Sequence, residues 1–277
     1  MHDYLLRLFV TGCKPIKTNL PQILFPFCFM KKSIILVTGG SRGIGRSICL
    51  ALAERGCTVL FTYLSNDVKA GELITEINQI GTGGAFAYRC DMSSLPEVLA
   101  LAKRIRQDVS YLDAIVNNAG IVGDGKPFLF ATDEHWWDVI RTNVGSVTNT
   151  CRVLLPMMIA RKAGRIINIT SLSGQKGNAG QSAYSASKAA VVTFSRSLAK
   201  EVGRFGITVN CISPGLIDTD MTRDISNEYV ANRLVWSPLK RKGGADEVAN
   251  LVTYMLCDAP SYIIGQELTI DGGLGVS

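Results

Sequence analysis

Seven short runs of the chain are apolar and rich in branched or aromatic residues, at positions 33–38, 58–63, 85–89, 114–117, 165–170, 208–213 and 266–270. Runs this short and this continuously apolar predict strands buried on both faces. The intervening segments 46–55, 68–80, 95–108, 134–160, 184–204 and 246–257 place apolar residues at the helical period. Strands alternating with helices predict an α/β fold: one Rossmann-like domain, a doubly wound parallel sheet of about seven strands with helices on both faces. The chain has 277 residues and a 47% hydrophobic content, enough to bury one large core, and no repeat or low-complexity linker divides it. The expected division is an N-terminal extension over 1–30, unstructured or preceding the true start, followed by a catalytic domain over 31–277.

Between the first strand and the first helix lies Gly39-Gly40-Ser41-Arg42-Gly43-Ile44-Gly45. Glycines let a backbone approach a phosphate closely, and the helix that follows offers free N–H groups and a positive dipole end. A glycine turn alone is often only a tight turn. The strand before it and the helix after it favour a dinucleotide site.

Tyr184 and Lys188 stand four residues apart in a helical segment, which puts phenol and ammonium on one face. A phenol is a weak acid, with an unperturbed pKa of about 10. A neighbouring cation is the simplest means of making its proton exchangeable. Ser171, at the end of the fifth strand, supplies a hydroxyl nearby. An exposed helical pair is the bland alternative, and the spacing alone does not exclude it.

Thr38-Gly39-x-x-x-Gly43-x-Gly45, Asn117-Asn118-Ala119-Gly120, Asn143, Ser171, Tyr184-x-x-x-Lys188 and Pro214-Gly215 occur in an order that resembles the short-chain dehydrogenase/reductase family. The resemblance covers residues 31 to 277, and within the family it is greatest to reductases of 3-oxoacyl groups carried on acyl carrier protein. It implies Asn143, Ser171, Tyr184 and Lys188 as the catalytic set. Tyr184 would be the general acid; Lys188 would lower its pKa and hold the cofactor ribose. Ser171 would bond the substrate oxygen, and Asn143 would position a water linking Lys188 to solvent. The implied cofactor contacts are Gly39, Ser41, Arg42, Gly43, Ile44, Gly45, Asp91, Asn118, Ala119, Gly120, Tyr184, Lys188, Pro214, Gly215, Ile217 and Thr219, with Asp91 at the adenine. Cytoplasmic homotetramers, with helices around Ser171 and the apolar run 270–276 at interfaces, are also implied.

Charge bears on which nicotinamide is used. An acidic residue about 20 positions past the glycine turn would accept bonds from a ribose 2′-hydroxyl. Here the second strand ends Phe61-Thr62-Tyr63-Leu64-Ser65-Asn66, with no acid before Asp67. A 2′-phosphate would not be repelled, and Arg42 could pair with it, Ser65 or Asn66 assisting. NADP(H) is the expected cofactor, the weaker alternative being that Arg42 is a solvent-facing turn residue.

Other chemistries have little material. Histidine occurs only as His2 and His135, and the second, beside Trp136 and Trp137, looks like a helix-start packing residue. The eight cysteines show no metal-ligand spacing and read as reduced, small apolar residues. No metal is expected. Much of the +6 formal charge lies in residues 1–32, so no basic stripe suggests nucleic acid. Those residues also lack the roughly 18 apolar positions a membrane span requires. The segment 222–238, carrying Tyr229 and Trp236, is a candidate substrate lid. Arg161, Lys162 and Arg165, with Arg204 next to Phe205, are expected to form a basic surface near the pocket for an acidic carrier. A free ketone or sugar as substrate, or a non-catalytic dinucleotide-binding scaffold, are the alternatives.

Overall fold

The computed structural model describes residues 33–80, 83–223 and 227–276, with backbone alone at 221, 223 and 227–229. The extension over 1–30 lies outside the described residues. One parallel sheet runs through the molecule in the order β3-β2-β1-β4-β5-β6-β7. Its strands are β1 (Ile34–Val37), β2 (Thr58–Tyr63), β3 (Ala85–Arg89), β4 (Ala114–Asn117), β5 (Gly164–Ile169), β6 (Ile207–Pro214) and β7 (Glu267–Ile270). Every apolar run expected as a strand forms one, to within a residue at either end.

Alternation along each strand builds two cores. Ile35 and Val37 of β1, Val59 and Phe61 of β2 and Val116 of β4 face one side, where they meet α1 (Gly43–Glu54), α2 (Asp67–Ile80) and a later helix over Ala245–Cys257. Leu36, Leu60 and Ile115 face the other side, toward α3 (Leu95–Asp108) and further helices. Burial on both faces explains why these strands read as continuous apolar runs rather than alternating ones.

The segment expected as one helix over 134–160 is not uniform. It comprises α4 (Asp133–Ile140), a π turn (Arg141–Gly145) and α5 (Ser146–Arg161). The hydrogen-bond shift is local and leaves helical periodicity on either side, which is why the apolar pattern does not reveal it. A short helix, α6 (Leu172–Lys176), begins at Ser171, and α7 (Ser182–Val202) carries the tyrosine and lysine. The candidate lid over 222–238 takes in the end of one short helix, α8 (Asp220–Arg223), and all of a second, α9 (Asn227–Leu234), before α10 (Ala245–Cys257).

Strand order reverses between β1 and β4. Connections leaving them turn to opposite faces, which opens a crevice at their carboxyl ends, the usual ligand position in an open α/β sheet. Thr38 Oγ1 ties this edge together by accepting from the backbone N–H groups of Asn118 and Ala119, each at 3.0 Å.

Candidate active site

A cleft of about 690 Å³ follows the carboxyl edge of the sheet. At one end stands the glycine turn. Gly39 and Gly43 adopt left-handed φ values of 65° and 53°, which favour glycine. Gly45 lies behind the turn: a methyl there would collide with the Gly39 carbonyl and lie 2.5 Å from Asn118 Nδ2. That nitrogen donates to the Thr38 and Gly39 carbonyls at 3.0 and 3.1 Å, so β4 braces the turn from beneath. The turn opens onto the N-terminus of α1, a cradle suited to a pyrophosphate.

Gly39, Ser41, Arg42, Gly43 and Ile44 line the cleft from the turn; Asn118, Ala119 and Gly120 line it from the end of β4. Pro214, Gly215, Ile217 and Thr219 close it beyond β6. Asp91 also lines it, but one carboxylate oxygen accepts from the N–H and hydroxyl of Ser93 at 2.9 and 2.7 Å, capping a turn. Arg42 is exposed at the same end. Ser65 and Asn66 do not line the cleft; Asn66 instead accepts from Lys69 N at 2.9 Å, at the start of α2.

Ser171, Tyr184 and Lys188 meet at the other end. Ser171 is the N-cap of α6 and accepts from Ser173 N at 3.1 Å. Gly174 allows α6 to press on α7, since a methyl there would lie 2.9 Å from Ala189 N and 3.0 Å from Lys188 Cβ. Lys188 is buried; its Nζ donates to the Ile169 carbonyl at 2.9 Å and lies 5.6 Å from the centre of the Tyr184 ring. Burial lowers its pKa to about 8, opposed weakly by Cys211. Burial likewise raises the Tyr184 pKa, and the hydrogen bond with Ser171 only partly opposes it. The expected depression of the tyrosine is therefore absent here: desolvation of the phenolate outweighs its neighbours.

Asn143 lies just behind these residues. It is buried in the π turn behind the cleft. Its Oδ1 accepts from Ile121 N at 2.8 Å; its Nδ2 donates to the Ile121 carbonyl and to Ser187 Oγ, each at 2.9 Å. The side chain is thus committed to clamping the strand exit against α7. Gly120 makes room for it, as a methyl there would lie 2.8 Å from Asn143 Oδ1 and 3.5 Å from Lys188 Nζ.

A strand–glycine turn–helix cradle, a Tyr-x-x-x-Lys helix and a serine at the end of β5 now stand around one cleft. The family model described as short chain dehydrogenase matches residues 33–230. The chain belongs to the short-chain dehydrogenase family. Among the family members it resembles, the 3-oxoacyl-[acyl-carrier-protein] reductase of Escherichia coli (strain K12) is 41% identical over 241 residues, 87% of this chain and 96% of the relative. That of Chlamydia trachomatis serovar D is 40% identical over 239 residues, 86% of this chain and 96% of the relative. Among solved structures, a 3-oxoacyl-[acyl-carrier protein] reductase from Brucella melitensis superposes with a TM-score of 0.82 at 31% identity, covering 88% of this chain and 92% of that one. A second structure of such a reductase from that organism, with bound NAD, gives 0.81 over the same shares.

The basic cluster requires relocation. Arg161, Lys162 and Arg165 lie at the start of β5, and Arg204 precedes β6, so all four occupy the amino edge of the sheet, opposite the cleft. Arg161 is 2.6 Å from Asp113 and stacks on Tyr111, its guanidinium 3.9 Å from the ring centre. Arg165 donates to the Met255 carbonyl at 2.7 Å, and Arg204 lies 4.8 Å from the Phe205 ring centre. Chain proximity to Ser171 was misleading because a six-residue strand separates the two edges.

Several cleft residues had no signal in spacing: Ser173, Asn178, Gln181 and Arg233. Arg233 of α9 donates to Asn178 Oδ1 at 2.5 Å, and Asn178 donates to Ser173 Oγ at 2.7 Å. Thr222 and Arg233 thus bring the lid segment to the cleft, whereas Trp236 is exposed and does not line it; the Tyr229 side chain lies outside the described residues. Six cysteines are described, all free and buried, and no group of side chains suited to a metal occurs among the described residues.

Proposed function

We propose that this protein reduces a 3-oxoacyl thioester, carried on acyl carrier protein, to the 3-hydroxyacyl thioester with NADPH, in fatty-acid or polyketide-like synthesis. The observation carrying this reading is the convergence of Ser171, Tyr184 and Lys188 at one end of a cleft whose other end is a glycine cradle at a helix N-terminus. Similarity to carrier-protein reductases over most of the chain supports the substrate class.

The cradle fits a nicotinamide dinucleotide, since Gly39 and Gly43 take left-handed φ values and Ser41, Arg42, Gly43 and Ile44 line the cleft where α1 begins, with its free N–H groups. When bound, the nicotinamide supplies hydride to the carbonyl carbon. Tyr184 holds its proton well above neutral pH and can release it to the carbonyl oxygen as negative charge develops there. Ser171 offers its hydroxyl to the same oxygen, and Lys188, cationic below about pH 8, would favour loss of the Tyr184 proton. Asn143 keeps α7 and the exit of β4 in register rather than presenting its amide to the cleft.

NADPH rather than NADH is favoured by Arg42 on the cleft wall. The first acid past β2, Asp67, accepts from the Tyr63 hydroxyl at 2.8 Å and does not line the cleft. Assembly as a homotetramer in the cytoplasm is part of the same proposal. A carrier using Lys162 or Arg204 would have to approach from the cleft of a neighbouring subunit.

The test follows NADPH oxidation with acetoacetyl thioesters of carrier protein, coenzyme A and pantetheine, with NADH and Tyr184→Phe as controls. The proposal expects preference for the carrier-linked form and a loss of about 10²–10⁴-fold in kcat for Tyr184→Phe, with NADPH binding retained. Absence of thioester turnover by folded, NADPH-binding protein would exclude it and turn attention to free ketones.

A further inference from the structure

His135 links two walls of the Tyr184 end of the cleft. It sits in the first turn of α4, whose N-cap Thr132 accepts from its backbone N–H. Its ring reaches back to the loop that follows β4, where Nε2 accepts from the Asp124 backbone N–H at 3.0 Å. Gly123, Asp124 and Gly125 all line the cleft. The two glycines have φ values of 102° and 73°, and a methyl at Gly123 would lie 3.3 Å from His135 Nε2. Across the cleft mouth, the Gly125 carbonyl abuts Gly180, where a side chain would collide with it. The neighbouring Trp136 donates to Ser182 Oγ at 3.3 Å, two residues before Tyr184. Helix α4 therefore holds the loop through one residue and the start of α7 through the next.

A ring nitrogen that accepts carries no proton, so this contact requires a neutral imidazole protonated at Nδ1. Protonation would set a second N–H against that of Asp124. The charged groups facing the ring are the Asp124 carboxylate, whose Oδ1 is 3.5 Å from Nε2, and behind it Lys126, whose Nζ is 3.1 Å from Asp124 Oδ2. On its own helix the nearest are Asp133, Glu134 and Asp138. Hydrogen bonds from Lys126 keep the Asp124 carboxyl below the usual range, so it is ionised and would draw an imidazolium away from the backbone N–H.

We propose that His135 is a positioning residue for the carbonyl substrate: its neutral form holds the turn from Gly123 to Gly125 as a wall of the substrate end, and its protonation releases that wall. This rests on the reading of the Tyr184 end as the place where a 3-oxoacyl thioester binds. Neither the glycine cradle nor the proton donor is involved, so the effect belongs to KM for the thioester.

The experiment compares wild type, His135→Gln and His135→Ala with acetoacetyl-coenzyme A and NADPH, folding being checked by circular dichroism and NADPH binding. Gln can place an acceptor at the reach of Nε2 without titrating. In wild type the thioester KM should rise roughly 3- to 10-fold on acidification, the worth of one hydrogen bond lost as the imidazole gains a proton. His135→Gln should keep the neutral wild-type value at every pH, and His135→Ala should show the raised KM throughout. The NADPH KM and the pH course of kcat should match in all three. An unchanged KM in the Ala variant, or the wild-type acid rise in the Gln variant, overturns the proposal. A second readout needs no substrate. With only two histidines in the chain, ring-¹⁵N-labelled protein gives an uncrowded imidazole spectrum, in which the Gln variant identifies the His135 signals. A neutral form protonated at Nδ1 is expected, and one protonated at Nε2 overturns the proposal. If wild type reduces no thioester, the functional reading fails while this spectrum still decides the role of His135.

Discussion

Lys188 pays for its position in the form of a depressed pKa, and that has two consequences at the scale of single residues. If Lys188 acts as proposed, as the cation beside Tyr184, kcat/KM should fall as pH rises through about 8, where the buried lysine loses its proton. Stability has the opposite slope. The folded state binds the proton less tightly than the unfolded chain, so stability rises with pH from about 8 until the ordinary lysine range is passed. Replacing Lys188 by Met removes this dependence, a contribution on the order of 3 kcal/mol. The difference in Tm between variant and wild type, followed from about pH 7 to 10, should shift against the variant as wild type gains stability. A gap independent of pH would mean that the lysine is not desolvated. Arg42 gives a cleaner separation, being exposed at the far end of the cleft. Arg42→Ala should raise the NADPH KM about 10-fold or more through loss of a charge-assisted contact, with little change for NADH. Equal effects on both cofactors would remove the 2′-phosphate contact.

At the scale of elements, the glycine turn and the π turn perform similar work by different means. Gly45 is required because the Gly39 carbonyl and Asn118 amide occupy the space where its side chain would be. Gly45→Ala should cost about 1–3 kcal/mol in stability by overpacking and should weaken dinucleotide binding more than it slows turnover at saturation. Denaturant unfolding and a fluorescence titration with NADPH measure the two effects; unchanged binding would mean that the turn tolerates displacement. The π turn has no sequence marker of this kind. Apolar periodicity from α4 to α5 is preserved through it, while Asn143 is re-aimed so that its amide satisfies both backbone groups of Ile121. The sequence pattern therefore reads as one helix where two helices joined by a π turn occur.

Over the whole molecule, what the cleft leaves uncovered becomes informative. Phe128, Leu129 and Phe130 form a single 3₁₀ turn after β4 and are 70%, 84% and 69% exposed. Trp137, in the helix that follows, is half exposed. Apolar surface grouped in this way suits contact with another subunit. Leu129→Asp should lower the mass measured by sedimentation toward that of a single chain, while the folded protein retains NADPH binding. An unchanged assembly would place the subunit contacts elsewhere. The amino-edge position of Arg161, Lys162, Arg165 and Arg204 adds a related constraint, because a carrier bound there cannot serve the cleft of the same chain directly.

The sheet, both of its cores and the cradle were legible in the sequence because each rests on local chemistry. Branched apolar runs can be satisfied only by two-sided burial, and glycines at fixed spacing permit a turn that other residues resist. Tyr184 and Lys188 were legible for the same reason, as four residues of helix fix their common face. Tertiary structure decided the rest. It packed Asn143 against Ile121 and Ser187, sent the basic cluster to the opposite edge and put His135 against a loop eleven residues away. It also reversed the expected direction of the Tyr184 pKa. These outcomes depend on which groups from distant segments share a small, poorly solvated volume, and neither periodicity nor spacing along the chain encodes that.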